Sequence, residues 1–239
     1  GFFVWSDLKK NGIHFKKYML HTKITLFSTA VLLVGGTVLF WIFESDNLLA
    51  GMGMKDQFLA AAFSSVTART AGFNTIDTGA LSNASKMLTS LFMFIGGSPG
   101  STAGGIKTVT VAVLLVYVWS NLRDSKGVNI FKRRLDDDTI RKASNVVVIS
   151  LVMAVAAVIY ICYIQPALPV EDVIFEVLSA IGTVGMSTGI TRELSLGSRI
   201  VIILLMYCGR LGSMSFALSF TERKKVAPVQ LPREKIMIG

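Results

Sequence analysis

Thr70-Ala71-Gly72-Phe73 and Thr183-Val184-Gly185-Met186 stand at equivalent places in two copies of one hydropathy pattern: long apolar span, short apolar half-span, Thr-x-Gly-apolar turn, second long span. Irregular backbone at membrane depth leaves peptide groups unpaired at a cost of several kcal/mol each, so it is tolerated only when buried in protein or lining a watery path. Glycine opens backbone conformations closed to other residues, so that consecutive carbonyl oxygens can point one way. A ring of such carbonyls can replace the water around a dehydrated cation, and the negative end of the preceding half-helix favours a cation at the same place. One tetrad of this kind recurs by chance. Two in register within a duplicated membrane unit point to an ion-selectivity filter rather than to glycine turns in an ordinary helical bundle.

The half-spans have the length this requires. Gln57 to Ala68, between Asp56 and Arg69, is ~18 Å of helix, too short to cross and therefore expected to enter and return. The second is expected to start near Asp172 and to end at Gly182. The flanking apolar tracts are long enough to span: Ile24 to Phe43, Met87 to Leu122 interrupted by Lys107, Ala143 to Val170, and Ile200 to Phe220 interrupted by Arg210. The expected fold is an all-α membrane protein with four spans and two re-entrant pore helices.

Composition agrees, with 52% hydrophobic residues against 16% charged. The charges cluster. Seventeen of the 24 basic residues lie before the first span, between the second and third, or after the fourth, which places both termini and the middle loop on the cytoplasmic side. The formal +9 charge is thus accounted for by topology, and nucleic-acid binding is not expected. Trp41 and Trp119 fall near span ends, as interfacial aromatics do. Cys162 and Cys208 lie within or at the end of spans and imply neither a disulfide nor a metal framework. Asn83-Ala84-Ser85 matches a glycosylation acceptor by pattern only. The opening Gly1-Phe2-Phe3-Val4-Trp5 reads as the end of an earlier membrane helix, so the chain is expected to be a piece of a longer protein.

Lys86 to Leu122 as one helix would be ~55 Å long, so the second span must break. The break is written in Gly96-Gly97-Ser98-Pro99-Gly100-Ser101-Thr102-Ala103-Gly104-Gly105, since each glycine costs a helix about 1 kcal/mol and proline about 3. One such residue would suffice for a kink; this many favours a gating loop in the watery path beneath the filter. GSTAGGIKT at 100–108 approaches a phosphate-binding loop, but Ile106 separates Gly105 from Lys107 and no apolar strand precedes it. Arg210 lies near the middle of the bilayer, where an arginine costs about 2.5 to 3.5 kcal/mol, so it must face the protein interior. Its expected partners are filter-side carbonyls or the 96–105 loop. Lys107 is expected to snorkel toward the cytoplasm.

TARTAGFNTID at 67–77, IGGSPGSTAGGIKT at 95–108, GTVGMSTG at 182–189 and YCGRLGSMSF at 207–216 together resemble the Trk/Ktr/HKT superfamily of potassium transporters, most closely its bacterial KtrB membrane subunits. The resemblance covers essentially the whole chain. It implies four membrane-pore-membrane repeats per full-length chain around one pseudo-fourfold pore, of which the third and fourth are present here. On that basis residues 1–19 are the tail of the second repeat and a linker, 20–122 the third repeat, 123–142 a cytoplasmic loop, 143–221 the fourth repeat and 222–239 a cytoplasmic tail. It further implies that Thr70, Ala71, Gly72 and Phe73 form the third filter strand and Thr183, Val184, Gly185 and Met186 the fourth, with Gly72 and Gly185 the key glycines. Potassium would bind at the filter carbonyls, with sodium a candidate second ion. Asn74 and Ser187 stand where tetrameric potassium channels have a second glycine, which leaves strict discrimination against sodium open. Gly96 to Gly105 and Arg210 match the family's gate.

The implied location is the bacterial cell membrane. The implied partners are the first and second repeats, a second membrane subunit in a homodimer, and an octameric KtrA-like or KtrC-like nucleotide-binding ring docking on the basic loop and C-terminal tail. No organic cofactor and no enzymatic activity are expected. Two other functions compete with a potassium pore: a coupled secondary transporter built on broken helices, which would not need two re-entrant hairpins, and a non-conducting membrane subunit, because two filter strands alone cannot enclose an ion.

Overall fold

The computed structural model of the chain describes residues 2–12, 14–99, 101, 103–123, 129–130 and 133–211. Helix α1 (Phe2–Asn11) leads through a 3-10 turn at Phe15–Lys17 into α2 (Leu20–Glu44), then α3 (Met54–Thr67), α4 (Asn83–Phe94) and α5 (Thr108–Leu122). A two-residue antiparallel pairing of Asn129–Ile130 with Arg133–Arg134 precedes α6 (Asp137–Ile164), α7 (Val170–Gly182), a 3-10 turn at Ile190–Arg192 and α8 (Leu196–Leu211).

Two of the four expected spans, α2 and α6, are continuous helices long and apolar enough to cross a membrane. Only 17% and 22% of their most apolar stretches are buried, the reverse of a core helix in a soluble protein. Large apolar side chains such as Phe27, Val34, Val152 and Ile159 face outward, where lipid is the solvent. The second span is divided between α4 and α5 at the glycine-rich stretch. Of the fourth, α8 supplies residues up to Leu211, and 212–221 lie outside the described residues, as does the C-terminal tail. Helix α6 starts six residues before the expected Ala143, because Asp136 and Asp138 complement the positive helix start and Asp138 pairs with Lys142 one turn on at 2.6 Å.

The two short helices that precede the tetrads differ in surroundings. Helix α7 is packed by α4, α6 and α8, and its Val173, Phe175 and Val177 are fully buried. Helix α3 packs on α2 through Ala61, beside Phe40, Leu49 and Leu81, while Phe58, Leu59 and Val66 remain exposed. A separate cluster of Ala68, Phe92, Met93, Phe175, Val184 and Met186 joins the two halves of the chain.

Each half ties the C-terminal end of its first long helix to the start of the helix that follows its tetrad. Glu44 Oε1 accepts from the backbone N–H (2.9 Å) and hydroxyl (2.7 Å) of Ser82, the N-cap of α4. Gln165 Oε1 accepts from the Ser195 N–H (2.7 Å) and the Ser198 hydroxyl (2.9 Å) at the start of α8. Both satisfy donors that a helix N-terminus leaves unpaired. Ser85 is fully buried in α4, so the glycosylation pattern at 83–85 is a helix start and not an acceptor loop.

Candidate functional site

The two tetrads adopt the same unusual backbone. Thr70 (φ 70°) and Thr183 (φ 50°) are left-handed, and so are Gly72 (φ 74°) and Gly185 (φ 91°). A β-branched residue held at positive φ is strained by about 1–3 kcal/mol and persists only where its surroundings dictate it. Here those surroundings are the helix ends. The N–H groups of Ala71 and Gly72 donate to the Thr67 carbonyl (3.1 and 3.2 Å), and that of Val184 donates to the Ser179 carbonyl (3.0 Å). The last turn of each half-helix also holds the fourth residue of its tetrad: the Thr67 hydroxyl donates to the Phe73 carbonyl and the Ser179 hydroxyl to the Met186 carbonyl, both at 2.6 Å. Among the described residues no backbone hydrogen bond is directed at the first three carbonyls of either tetrad.

The tetrads are neighbours in space. A Cβ on Gly72 would stand 2.0 Å from the Val184 carbonyl oxygen, an approach open to glycine alone. Thr78 donates a short hydrogen bond to the Ser187 carbonyl, which joins the chain beyond one tetrad to the chain beyond the other.

The glycine-rich stretch lies against both. Its ends are pinned together by an Ile95–Ile106 bridge and by bonds from the Ile106 N–H to the Phe94 carbonyl and from the Thr108 N–H to the Gly97 carbonyl, each 3.2 Å. A Cβ on Gly104 would come 2.2 Å from Thr183 Oγ1, and one on Gly97 would lie 4.0 Å from Thr70 Oγ1. Gly100 and Thr102 lie outside the described residues; Ser98 and Ser101 close a turn, the Ser101 hydroxyl donating to the Ser98 carbonyl at 2.6 Å. Lys107 was expected to reach away to the cytoplasm. Instead its amine donates a short bond back to the Ala103 carbonyl, because the broken backbone offers an acceptor nearer than water. Arg210 lies in the last described turn of α8, near enough to Lys107 for their charges to repel, and the adjoining Gly209 abuts the Ile181 carbonyl.

Several contacts here had no counterpart in the sequence. Lys86 on α4 and Asp172 in the first turn of α7 form an ion pair of 2.8 Å with side chains only 10% and 13% exposed. Glu176, on the next turn of α7, accepts from the hydroxyls of Ser187 and Thr191, the latter at 2.9 Å, directly behind the end of the second tetrad. Arg69, just before the first tetrad, is half-buried, and its Nε has no hydrogen-bond partner among the described residues. A signal was present for the first pair. Setting Thr70 on Thr183 and reading on without a gap brings Ser82 to Ser195, Ser85 to Ser198, Lys86 to Arg199, Met93 to Met206 and Gly96 to Gly209. Lys86 and Arg199 are thus one position seen twice.

No cluster of three or more His, Cys, Asp or Glu suited to a metal occurs among the described residues. The sequence profile described as TrkH, cation transport protein, matches residues 18–227. The chain belongs to the TrkH family. Over 246 aligned residues it is 38% identical to a potassium/sodium uptake protein, NtpJ, of Enterococcus hirae, covering 100% of this chain and 54% of that protein. It is 35% identical to the Ktr system potassium uptake protein B of Vibrio alginolyticus, covering 99% of this chain and 51% of the relative. The crystal structure of the potassium transporter TrkH from Vibrio parahaemolyticus superposes with a TM-score of 0.69 at 19% identity, over 91% of this chain and 48% of that one, which is a likeness of fold. The chain spans about half the length of these TrkH-family relatives. The description of the family is of cation transport.

Proposed function

We propose that, within a longer protein, the chain forms half of a potassium-conducting pore. Thr70 to Phe73 and Thr183 to Met186 are two of its four filter strands, and the 96–105 loop, Lys107 and Arg210 are its gate. The observation that carries this is the shared left-handed backbone of the two tetrads, set side by side at Gly72 and Val184 with the glycine-rich loop against their bases. Each tetrad follows the C-terminal end of a half-helix, where partial negative charge favours a cation over an anion. The first three carbonyls of each are left to an ion that has shed its water.

The names of the relatives point to potassium, and one adds sodium; with Asn74 and Ser187 after the tetrads, sodium is the competing ion. Two further units of the full-length protein complete the ring of strands. A second membrane subunit and a cytoplasmic nucleotide-binding ring are the proposed partners, with the basic segment after Arg123 as the docking surface; within it, 124–128 and 131–132 lie outside the described residues.

The test is rubidium and sodium uptake by the full-length protein in cells lacking other potassium systems, comparing wild type with Gly72→Ala and Gly185→Ala. Lower affinity or admission of sodium in both variants supports the filter. Wild-type affinity and selectivity in both removes it.

A further inference from the structure

We infer that one buried water molecule sits behind the first tetrad, between Ser64 and Thr89, and does there what the Glu176 carboxylate does behind the second. The inference rests on the filter proposed above and adds to it a binding site that holds the first strand.

The two halves hold their tetrads by one plan. A hydroxyl on the last turn of each half-helix, Thr67 or Ser179, donates to the carbonyl of the fourth tetrad residue. Three residues before that hydroxyl stands Glu176 in the second half and Ser64 in the first. Glu176 accepts from Ser187 and Thr191, and the gapless correspondence beyond the tetrads turns these two into Asn74 and Thr78. Ser64, Asn74 and Thr78 come together again, around one cavity, but the shorter side chain bridges neither partner. The Ser64 hydroxyl donates back to the Ala60 carbonyl at 2.8 Å, and that of Thr78 donates across to the Ser187 carbonyl.

The cavity measures about 10 Å³, at the lower edge of the roughly 10–15 Å³ that one water needs. Thr89 of α4 lines it as well. Its side chain is buried, with the residue 4% exposed, and its hydroxyl has no hydrogen-bond partner among the described residues. A donor left in that condition costs about 1–3 kcal/mol. The corresponding residue in the second half is Ile202, equally buried, so the half that lacks the carboxylate is the half that has gained a hydroxyl.

A water satisfies every group at once. It accepts from Thr89 and donates to the hydroxyl oxygens of Ser64 and Thr67, whose own protons are committed to the Ala60 and Phe73 carbonyls. Three bonds are what a buried water makes. A bare cation is the poorer occupant, because no carboxylate lines the cavity and a buried charge without a counter-charge is costly.

The test takes two measurements on the full-length protein. The first is a density map at a resolution that shows ordered water, from protein in sodium-free potassium salt and from protein in sodium salt. A peak within hydrogen-bonding distance of Thr89 Oγ1 and Ser64 Oγ in both is expected. A peak in sodium alone marks a cation and overturns the water, as does no peak in a map that shows other buried waters. The second is rubidium uptake, where Thr89→Val, which keeps the shape and removes the donor, is expected to raise KM about threefold or more. Thr89→Ser, which restores the hydroxyl, is expected to bring KM back. Wild-type KM in Thr89→Val, or a loss in Thr89→Ser as large as in valine, overturns the water's role; where the valine variant does not fold, the maps decide. Altered selectivity in Gly72→Ala beside a wild-type Thr89→Val overturns this inference alone and leaves the filter standing.

Discussion

Gly72 lies against the Val184 carbonyl, with no room for a Cβ between them. Because each residue belongs to a different half of the chain, this contact sets the spacing of two strands that are otherwise built independently from their own helix ends.

The two key glycines are therefore unequal. Alanine at Gly72 meets both a left-handed backbone and the Val184 carbonyl, whereas at Gly185 the conformation is the obstacle, since among the described residues nothing lies within 4 Å of the added Cβ. Gly185→Ala is expected to cost about 1–2 kcal/mol and to keep measurable uptake. Gly72→Ala should displace the neighbouring strand and raise the KM for rubidium by more. Equal effects of the two would show that the strands are not in contact in the assembled protein.

Glu176 offers a cleaner test of how the second tetrad is held. Glu176→Gln keeps an acceptor for Ser187 and Thr191, while Glu176→Ala removes the acceptor they share and leaves the two hydroxyls only their mutual bond of 2.8 Å, so that one donor goes unpaired at about 1–3 kcal/mol. Rubidium KM is expected to rise more in the alanine variant than in glutamine. The opposite order would mean that the carboxylate charge matters and the hydrogen bonds do not.

Lys86 and Asp172 should behave as a coupled pair. Removing either partner leaves a buried charge and is expected to destabilise the purified protein by about 3–5 kcal/mol, while Lys86→Met with Asp172→Leu should lose much less than the sum. Thermal unfolding in detergent of the four members of the cycle gives the coupling, and additive losses would count against a direct interaction.

The loop should act as a barrier held by cations. Deleting residues 98–103, or making Arg210→Ala or Lys107→Met, is expected to raise potassium flux into proteoliposomes and to lessen its dependence on a regulatory subunit, because the obstruction or its latch is gone. Unchanged flux in the deletion, with the protein folded, would make the stretch a structural kink.

Much of this architecture was legible from the chain alone. The long apolar helices α2 and α6 and the break between α4 and α5 are local properties: apolar runs of a given length, and glycine and proline that no helix accommodates at that density. The left-handed turn at each tetrad followed from its glycine, although Thr70 and Thr183 join it there only because the helix ends and facing strands leave them no alternative.

The pairings between distant residues were decided by tertiary structure. Lys86 is buried with Asp172, Gly104 lies under Thr183, and Lys107 turns back to Ala103 rather than out to water, because each depends on which surface arrives opposite it once the helices pack. A charge or a glycine in a sequence states a demand for a partner or for space. Only the packed chain determines which partner meets it, because burial and distance are properties of segments brought together from far apart.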